Sequence, residues 1–590
     1  MPQKQKILFA VYDNGSYDHV FPMGFGALAA VLKRDGHEIV VWSQDMHHWP
    51  DDKLRTYLDE NKFDVVVLSI IAGYYQYQKV KGLSKAINAS KQRPFFVMGG
   101  YGPTPEPEFF LKKSGADVVS MGEGEISVCK LMEELGKQKE KTGSYAPGQW
   151  LQEVPGVAWL EPTEGGKLKK TLRAPLIHDL DSLPPIPYEL FPMEYYRMVR
   201  YPNIKHTDFA FPLMSARGCS FKCTFCYRMD PGYRVRSPKN LLDEVEMLYN
   251  KYGINYISFQ DDLLMSSVKH TEDVCREFLK RDLNVSWSCN GRLNYCSEEL
   301  LQLMKDAGCT FINYGIESMD QKVLNNMKKG LRPDMIEQGI KDTLKVGISP
   351  GLNFIFGNKG DNKETIKKAV DFLLKYDDFA QKRTIRPVTP YPGSPLYYDA
   401  IEMGSLDKDN PAEDFYERKH LNSDLICTNF TELTDEEFYE CLKWANSTLM
   451  ENYFNKQRDG TLAQIKNLYE TKDYTFRGFR QGDGAGGGKG QYIPKKFMKN
   501  AINKKKQDIF QGNEVMDGMV NWENSSSDGD RFSITEYRKK SKTRRGLKCF
   551  EEYLQRKEKR QREKDLEKLR KAQEKGSKLK KQDQVSEQLH

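Results

Sequence analysis

Three cysteines stand at short spacing near the middle of the chain. Cys219, Cys223 and Cys226 fall within the stretch MSARGCSFKCTFCY, residues 214–227. Thiolates at such spacing in one loop are typical ligands of a soft metal centre, either zinc or an iron–sulfur cluster. A structural zinc site requires a fourth protein ligand, and no second Cys or His pair follows a short distance downstream. The pattern favours a four-iron cluster with one open iron, and a zinc knuckle or three unrelated buried thiols are the alternatives.

The spacing C-x3-C-x2-C, with Phe225 directly before the last cysteine, resembles the signature of the radical S-adenosylmethionine (SAM) superfamily. The resemblance implies that the open iron binds the amino and carboxylate groups of SAM. It also implies that the reduced cluster cleaves SAM into methionine and a 5′-deoxyadenosyl radical, and that Phe225 lies near adenine. The partners implied are a small-molecule or biosynthetic-intermediate substrate and a reductant such as flavodoxin or ferredoxin.

Length and composition predict a multidomain protein of the cytoplasm. The chain of 590 residues is long enough for several units of ~150 residues. No apolar run approaches the ~20 residues that a membrane span needs, and the start MPQKQKILFAVYDNG lacks the layout of a signal peptide. Eleven cysteines are too few for a disulfide framework, which suits a reducing compartment and an oxygen-sensitive cluster.

The positive charge is concentrated at the C-terminal end. Residues 501–590 carry 24 Lys and Arg against 16 Asp and Glu, whereas the first 500 residues carry 66 against 67. The body of the protein therefore lacks the charge of a nucleic-acid binder. We expect a glycine linker and a basic, partly disordered tail over 481–590, which could bind an acidic partner or nucleic acid.

The first part of the chain predicts a doubly wound, flavodoxin-like α/β domain over 1–138. Continuously apolar segments such as DVVVLSI and PFFVMGG alternate with helical segments, which is typical of a parallel sheet covered on both faces. Such sheets bind ligands beyond the carboxyl ends of their strands. The residues at those ends are Ser69, Gly99, Gly100, Gly122 and Glu123.

This segment, with FPMGFGALAAVLKRDGHEIVV, GGYGPTPEPE and MGEGE, resembles the cobalamin-binding domain that precedes many radical SAM domains. The resemblance implies that the five strand-end residues contact cobalamin. The motif Asp-x-His-x-x-Gly, whose histidine binds cobalt in some cobalamin enzymes, is absent, so we expect cobalt without a protein histidine. His19 is the alternative ligand, and another nucleotide, or none, is the alternative for the whole domain.

After a hairpin and a Pro-rich linker at 139–208, six strand–helix units over 209–400 predict a partial (β/α)6 barrel. Chemistry in such barrels occurs at the carboxyl ends of the strands, where Gln260-Asp261-Asp262, Arg292, Glu317-Ser318 and Gly357 lie. By resemblance to radical SAM enzymes, the expected SAM-binding residues are Phe225, Asp261, Asp262, Arg292, Glu317, Ser318 and Gly357. Ordinary helix caps and ion pairs are the alternatives for the charged members. A helical C-terminal region is expected over 401–480.

Both domains together resemble the cobalamin-dependent radical SAM enzymes, which include methyltransferases and cyclases. The first functional hypothesis is methylation of an unactivated carbon or phosphorus. The second is a cyclase or another oxidative or rearranging enzyme without methyl transfer. A third, from another class, is a nucleic-acid or partner-binding protein that acts through the basic tail. The sequence does not identify the substrate or a catalytic residue beyond the cluster ligands.

Overall fold

A computed structural model describes residues 4–15, 20–71, 73–205, 207–229 and 232–472. His19, the glycine-rich segment at 481–490 and the basic tail lie outside the described residues. Within these ranges, no helix is both long and apolar enough to cross a membrane.

A seven-stranded sheet forms the first part of the molecule, in the order β2-β1-β3-β4-β5-β6-β7. Strands β1 to β5 are parallel, and the hairpin predicted around Gly165-Gly166 adds β6 and β7 antiparallel at one edge. The strands are β1 Lys6–Val11, β2 Glu38–Ser43, β3 Val65–Ser69, β4 Phe95–Gly99, β5 Val118–Ser120, β6 Val157–Glu161 and β7 Lys167–Lys170.

Helices cover both faces of this sheet, as the apolar strands predict. Alternate residues of β1 belong to different cores: Ile7 and Phe9 to one, and Leu8 and Ala10 to the other. Successive side chains of a strand point to opposite faces, so both faces are buried. The helices are α1 Met23–Arg34, α2 Gln44–His47, α3 Asp52–Glu60, α4 Tyr74–Asn88, α5 Pro107–Ser114, α6 Gly124–Thr142 and α7 Met193–Tyr196.

The second part is a parallel six-stranded sheet in the order β15-β14-β13-β12-β11-β8. These are the six predicted units, and the flavodoxin-like domain and partial barrel are confirmed. A separate two-stranded antiparallel ribbon, β9 with β10, stands beside the first barrel strand. The strands are β8 Ala210–Leu213, β9 Ala216–Gly218, β10 Tyr233–Val235, β11 Tyr256–Phe259, β12 Ser286–Gly291, β13 Cys309–Glu317, β14 Ser349–Phe356 and β15 Arg386–Pro387.

The helices of the second part begin at the capping signals in the sequence. Ser237 caps α8 through a 3.2 Å bond from the amide of Asn240, and Pro238 follows at the first helical position. Thr434 and Glu437 form a reciprocal capping box at the start of the long C-terminal helix. The helices are α8 Pro238–Tyr252, α9 Val268–Arg281, α10 Glu298–Asp306, α11 Gln321–Asn326, α12 Pro333–Lys345, α13 Lys363–Tyr376, α14 Pro395–Glu402, α15 Pro411–Glu413 and α16 Asp435–Thr471.

Candidate functional site

The β9–β10 ribbon encloses the three cysteines. Gly218 pairs with Tyr233, and the three cysteines lie between the two strands, in the described loop residues 219–229. Further backbone bonds fix this cysteine loop: the amide of Thr224 donates to the carbonyl of Met327 at 3.0 Å, and its carbonyl accepts from Leu396 at 3.1 Å. The loop is therefore tied to the connections that follow β13 and β15, at the carboxyl edge of the barrel.

Asp261 anchors the chain where it enters this loop. Its carboxylate accepts from the amides of Ser215 and Ala216 at 2.6 and 2.8 Å and from the Ser215 hydroxyl. The side chain is almost fully buried, and burial raises its pKa to about 7. Both carboxylate oxygens accept hydrogen bonds from the protein itself. Asp261 therefore stabilises the backbone here and does not present a free oxygen to a ligand.

Arg292 extends from the end of β12 into the cysteine loop. Its Nη1 lies 3.9 Å from the Cys223 sulfur, and its guanidinium stacks 3.6 Å from the ring centroid of Phe221. The bond from Nε to Asn294, at 2.7 Å, orients the group. Nη2 is buried, and none of the described residues accepts a hydrogen bond from it. A buried, unpaired donor is costly, and a bound carboxylate would satisfy it.

Glu317 ends β13 in a left-handed conformation, with φ of +69°. Its Oε1 accepts a 2.8 Å bond from Lys329, whereas its Oε2 is buried and accepts no hydrogen bond within the described part of the chain. The Lys329 ammonium also lies 5.4 Å from the ring centroid of Phe225. The strained backbone and the unpaired oxygen both indicate a position held for a ligand.

The sequence pointed to Glu317 and missed Lys329. This lysine stands in a Lys-Lys-Gly turn after α11. A lysine near the end of a helix usually indicates an interaction with the helix dipole. Its burial beside Phe225 depends on the loop packing, which has no local signal in the sequence.

The other expected SAM residues lie along the same edge. Ser318 is buried, and its hydroxyl accepts from the amide of Asp320 at 3.1 Å. Asp262 is exposed and lies close to Cys219. Burial is the main cause of the raised pKa of the Cys219 thiol, and the negative charge of Asp262 raises this pKa further. Gly357 has φ of +95°, and a Cβ there would lie 2.8 Å from the ring of Phe438 on α16. The structure thus gives Gly357 a packing reason independent of any ligand.

The corresponding edge of the first sheet consists mainly of small residues and backbone. Ser69 and Gly99 end β3 and β4 as register partners. Gly100 has φ of +103°, and a Cβ there would lie 2.3 Å from the Ile70 carbonyl oxygen. Gly122 also has positive φ, and its amide donates to the Thr104 hydroxyl at 3.2 Å. Gly100 thus has a packing reason independent of any ligand, while Ser69, Gly99 and Gly122 leave only backbone and one small side chain along this edge.

An imidazole that the sequence did not single out lies near this edge. His48 Nδ1 is 2.8 Å from the carboxylate of Asp13, which follows β1. Lys79 approaches the same carboxylate at 3.3 Å. His48 has a left-handed backbone at the end of α2, and its pairing with Asp13 depends on how that turn folds back.

Glu123 differs from the other four strand-end residues because its carboxylate faces the barrel. It pairs with Arg217 on β9 at 3.2 Å and with Arg234 on β10 at 2.9 Å. Arg217 also binds Glu125 at 2.5 Å. Burial acts to raise the pKa of Glu123, but the two arginines lower it below its usual value. The start of α6 is thus fastened to the ribbon that encloses the cysteines.

The two candidate edges meet at the residues that follow Cys226. The rings of Tyr101 and Tyr227 pack edge to face, with centroids 5.8 Å apart. The Thr104 hydroxyl lies 3.9 Å from the sulfur of Met229. The loop after β4 therefore contacts the cysteine loop directly.

The donor set fits the group that the cysteines predict. The pKa of the Cys226 thiol is raised to about 12. Burial is the main cause, and the nearby thiols of Cys223 and Cys219 also raise this pKa. In the part of the chain that the structure describes, no three His, Cys, Asp or Glu side chains converge on one ion position. A four-iron cluster needs a different arrangement, because each thiolate binds a separate iron. The buried Arg292 Nη2 and Glu317 Oε2 leave an acceptor and a donor to be supplied by a ligand.

Comparisons with known proteins give one family match for each of the two sheets. Residues 213–373 match the Radical SAM superfamily model, and residues 14–131 match the B12 binding domain model. The chain belongs to the cobalamin-dependent radical SAM enzymes. The two domains imply a [4Fe-4S] cluster, SAM and cobalamin as cofactors.

Relatives of this cobalamin-dependent radical SAM enzyme include methyltransferases and cyclases. An uncharacterized methyltransferase from Pyrococcus horikoshii is 29% identical over 65% of this chain and 79% of its own. An anaerobic magnesium-protoporphyrin IX monomethyl ester cyclase from Rubrivivax gelatinosus is 26% identical over 66% and 68%. The radical SAM methyltransferase TsrM from Kitasatospora setae, solved with cobalamin and a [4Fe-4S] cluster, shares the fold with a TM-score of 0.54. That match has 19% identity and covers 68% of this chain and 75% of the other.

Proposed function

We propose that this enzyme transfers a methyl group to an unactivated carbon or phosphorus of a small-molecule substrate by radical chemistry. The observation that carries the proposal is the contact between the two candidate edges, through Tyr101 and Tyr227 and through Thr104 and Met229. A methyl donor on the first sheet and a radical generator in the barrel must face one substrate. When bound, the cluster with SAM supplies the radical and cobalamin supplies the methyl group.

We assign the cluster to Cys219, Cys223 and Cys226. Asp261 and the β9–β10 ribbon hold the loop that carries them, because its entry is bonded to a buried carboxylate. The ion pairs of Glu123 with Arg217 and Arg234 transmit the position of the first domain to this loop. Glu123 thereby serves cobalamin indirectly, by orienting the edge that receives it.

For SAM, Arg292 would bind the carboxylate through its unpaired Nη2, and Glu317 would accept from ribose hydroxyls through its unpaired Oε2. Lys329 compensates the buried charge of Glu317. Phe225 would lie against adenine, with Asp262 and Ser318 nearby and Gly357 shaping the edge. For cobalamin, Ser69, Gly99, Gly100 and Gly122 would border the ring, because they lie at the carboxyl edge of the parallel sheet and have a small side chain or none.

The second candidate is a cyclase-type reaction in which cobalamin carries electrons. The 26% identity to the anaerobic magnesium-protoporphyrin IX monomethyl ester cyclase supports it. A substrate-independent experiment separates the two: cluster-loaded protein with cobalamin, reductant and SAM labelled in its methyl group. Methyl transfer predicts S-adenosylhomocysteine and label on cobalamin. If 5′-deoxyadenosine forms while the label stays entirely on SAM and methionine, the cyclase-type reaction is the better assignment.

A further inference from the structure

Three exposed lysines lie in the cysteine loop or in segments that are hydrogen-bonded to it or to each other. Lys222 lies within the loop, directly before Cys223. Lys328 follows Met327, whose carbonyl accepts the amide of Thr224 in that loop. Lys359 is joined to the same group because its carbonyl accepts a 2.7 Å bond from Asn326, one residue before Met327. We call these three residues the lysine surface.

The lysine surface carries uncompensated charge. Among the described residues, no carboxylate forms an ion pair with Lys222, Lys328 or Lys359. By contrast, Lys368 forms an ion pair with Asp320 at 3.2 Å, and Lys363 forms one with Glu437 at 2.8 Å. Asp262, the exposed carboxylate beside Cys219, offsets part of the charge. The remaining positive charge lies in the cysteine loop and in the two segments joined to it.

All three lysines follow the carboxyl ends of barrel strands, namely β8, β13 and β14. The first domain contacts this edge at Tyr227 and Met229, beyond the last cysteine. Lys222, Lys328 and Lys359 take no part in those two contacts and are exposed to solvent. The rate of electron transfer falls steeply with distance, so a redox partner must dock where its prosthetic group comes near the cluster.

We propose that the lysine surface is the docking site for a small acidic one-electron carrier protein. The proposal rests on the radical SAM reaction, which consumes one electron per cleavage of SAM. One electron leaves the reduced prosthetic group of the carrier and enters the cluster, so the carrier is oxidised as the cluster is reduced. Unpaired surface charges suit such transient complexes, because they accelerate encounter and leave a small, weak interface.

The test uses the full chain, loaded with its cluster, and a purified acidic flavodoxin as the probe. The variant Lys222→Glu, Lys328→Glu, Lys359→Glu is compared with the matched variant Lys62→Glu, Lys85→Glu, Lys91→Glu. The control lysines are equally exposed, without ion pairs among the described residues, and lie at the amino edge of the first sheet. Two readouts are taken: flavodoxin binding by calorimetry at low and high salt, and 5′-deoxyadenosine formation driven by flavodoxin or by dithionite.

We expect the docking variant to bind flavodoxin about tenfold or more weakly at low salt, with the difference shrinking at high salt as charges are screened. Flavodoxin-driven cleavage of SAM should fall by a similar factor, while dithionite-driven cleavage is retained. The double variant Lys328→Glu, Lys359→Glu should show the same direction with the cysteine loop unchanged. Equal binding by wild type and docking variant, or an equal loss in the control variant, overturns the proposal.

Failure of the proposed reaction gives a different result. If wild-type protein forms no 5′-deoxyadenosine with either reductant, the radical reaction is wrong, whatever the binding data show. If dithionite supports SAM cleavage and the docking variant binds flavodoxin as tightly as the wild type, the radical reaction is retained and only the docking site is wrong.

Discussion

The two edges that face each other in this enzyme differ in how they are prepared for a ligand. The barrel edge offers charged side chains that are already buried and incompletely bonded, as in Arg292 and Glu317. The first-sheet edge offers glycines, and its nearby carboxylate, Glu123, is turned toward the barrel. The difference suits a small zwitterion bound by point contacts on one side and a large ring bound by shape on the other.

The largest effect should come from the barrel edge, at the thiols. Changing Cys219, Cys223 or Cys226 to Ala should abolish SAM cleavage and leave the fold intact, because each thiolate is one of three cluster ligands. Iron content and 5′-deoxyadenosine would be measured, with Cys441→Ala on α16 as the control. A protein lacking all three thiols that still forms 5′-deoxyadenosine contradicts the assignment.

Arg292→Met tests the claim that the barrel edge binds SAM by charge. Hydrogen bonds to charged groups contribute about 1.5–3 kcal/mol, so SAM affinity should fall roughly 10- to 100-fold. Equilibrium binding to cluster-loaded protein measures this. Arg281→Met, which removes an arginine paired with Glu277 and Asp243 on the outer helices, is the matched control. An unchanged affinity in Arg292→Met would refute the carboxylate contact.

Gly100→Ala tests the claim that the first edge works by shape. The new Cβ would meet the Ile70 carbonyl oxygen at 2.3 Å, so the loop must shift and cobalamin binding should weaken. We expect a loss of stability of about 1–3 kcal/mol as well. Gly143→Ala is the control, because its φ is +69° and a Cβ there meets nothing within 4 Å. Equal cobalamin affinity in the two variants would contradict the claim that the shape of this edge binds cobalamin.

A buried histidine, His420, lies in the segment before α16, and it should make the stability of the protein sensitive to acid. His420 stacks on Phe415 with centroids 4.9 Å apart, and burial lowers its pKa to about 4. The unfolded chain binds the proton near pH 6.5, so stability present at neutral pH is lost as the pH falls from 6.5 toward 4.

At pH 5 the loss should reach about 2 kcal/mol, measured by urea unfolding. His420→Phe should reduce this loss, whereas exchange of the exposed His178 should not. The same acid sensitivity in the Phe variant would show that other groups cause it.

The smallest expected effect concerns cobalt. We expect cobalamin to bind without nitrogen splitting in the electron-paramagnetic spectrum, since an edge built for shape leaves the lower face without a protein histidine. His48, held by Asp13, and His19, which lies outside the described residues, are the imidazoles to exchange. Nitrogen splitting that disappears in His48→Ala or His19→Ala would show that this histidine binds cobalt, and that this edge also binds cobalamin through a single side chain.

The sequence by itself determined the order of strands and helices and the cysteine loop. Apolar strands buried on both faces, as in β3 and β4, and capping signals such as Ser237 and Thr434 are local patterns. It also predicted that Arg292, Glu317 and Gly100 stand at the ends of strands, which is where parallel sheets bind ligands.

Only the tertiary structure decided which of the side chains at strand ends keep an atom free to bind a ligand. Asp261 and Glu123 have the same chemistry as Glu317, yet both are occupied, by Ser215 and by two arginines of the ribbon. Lys329 and His48 acquire their contacts from turns that fold back on distant strands. A carboxylate at the end of a strand is free or engaged according to what packs against it. Such contacts join residues far apart in the chain, and local sequence patterns do not encode them.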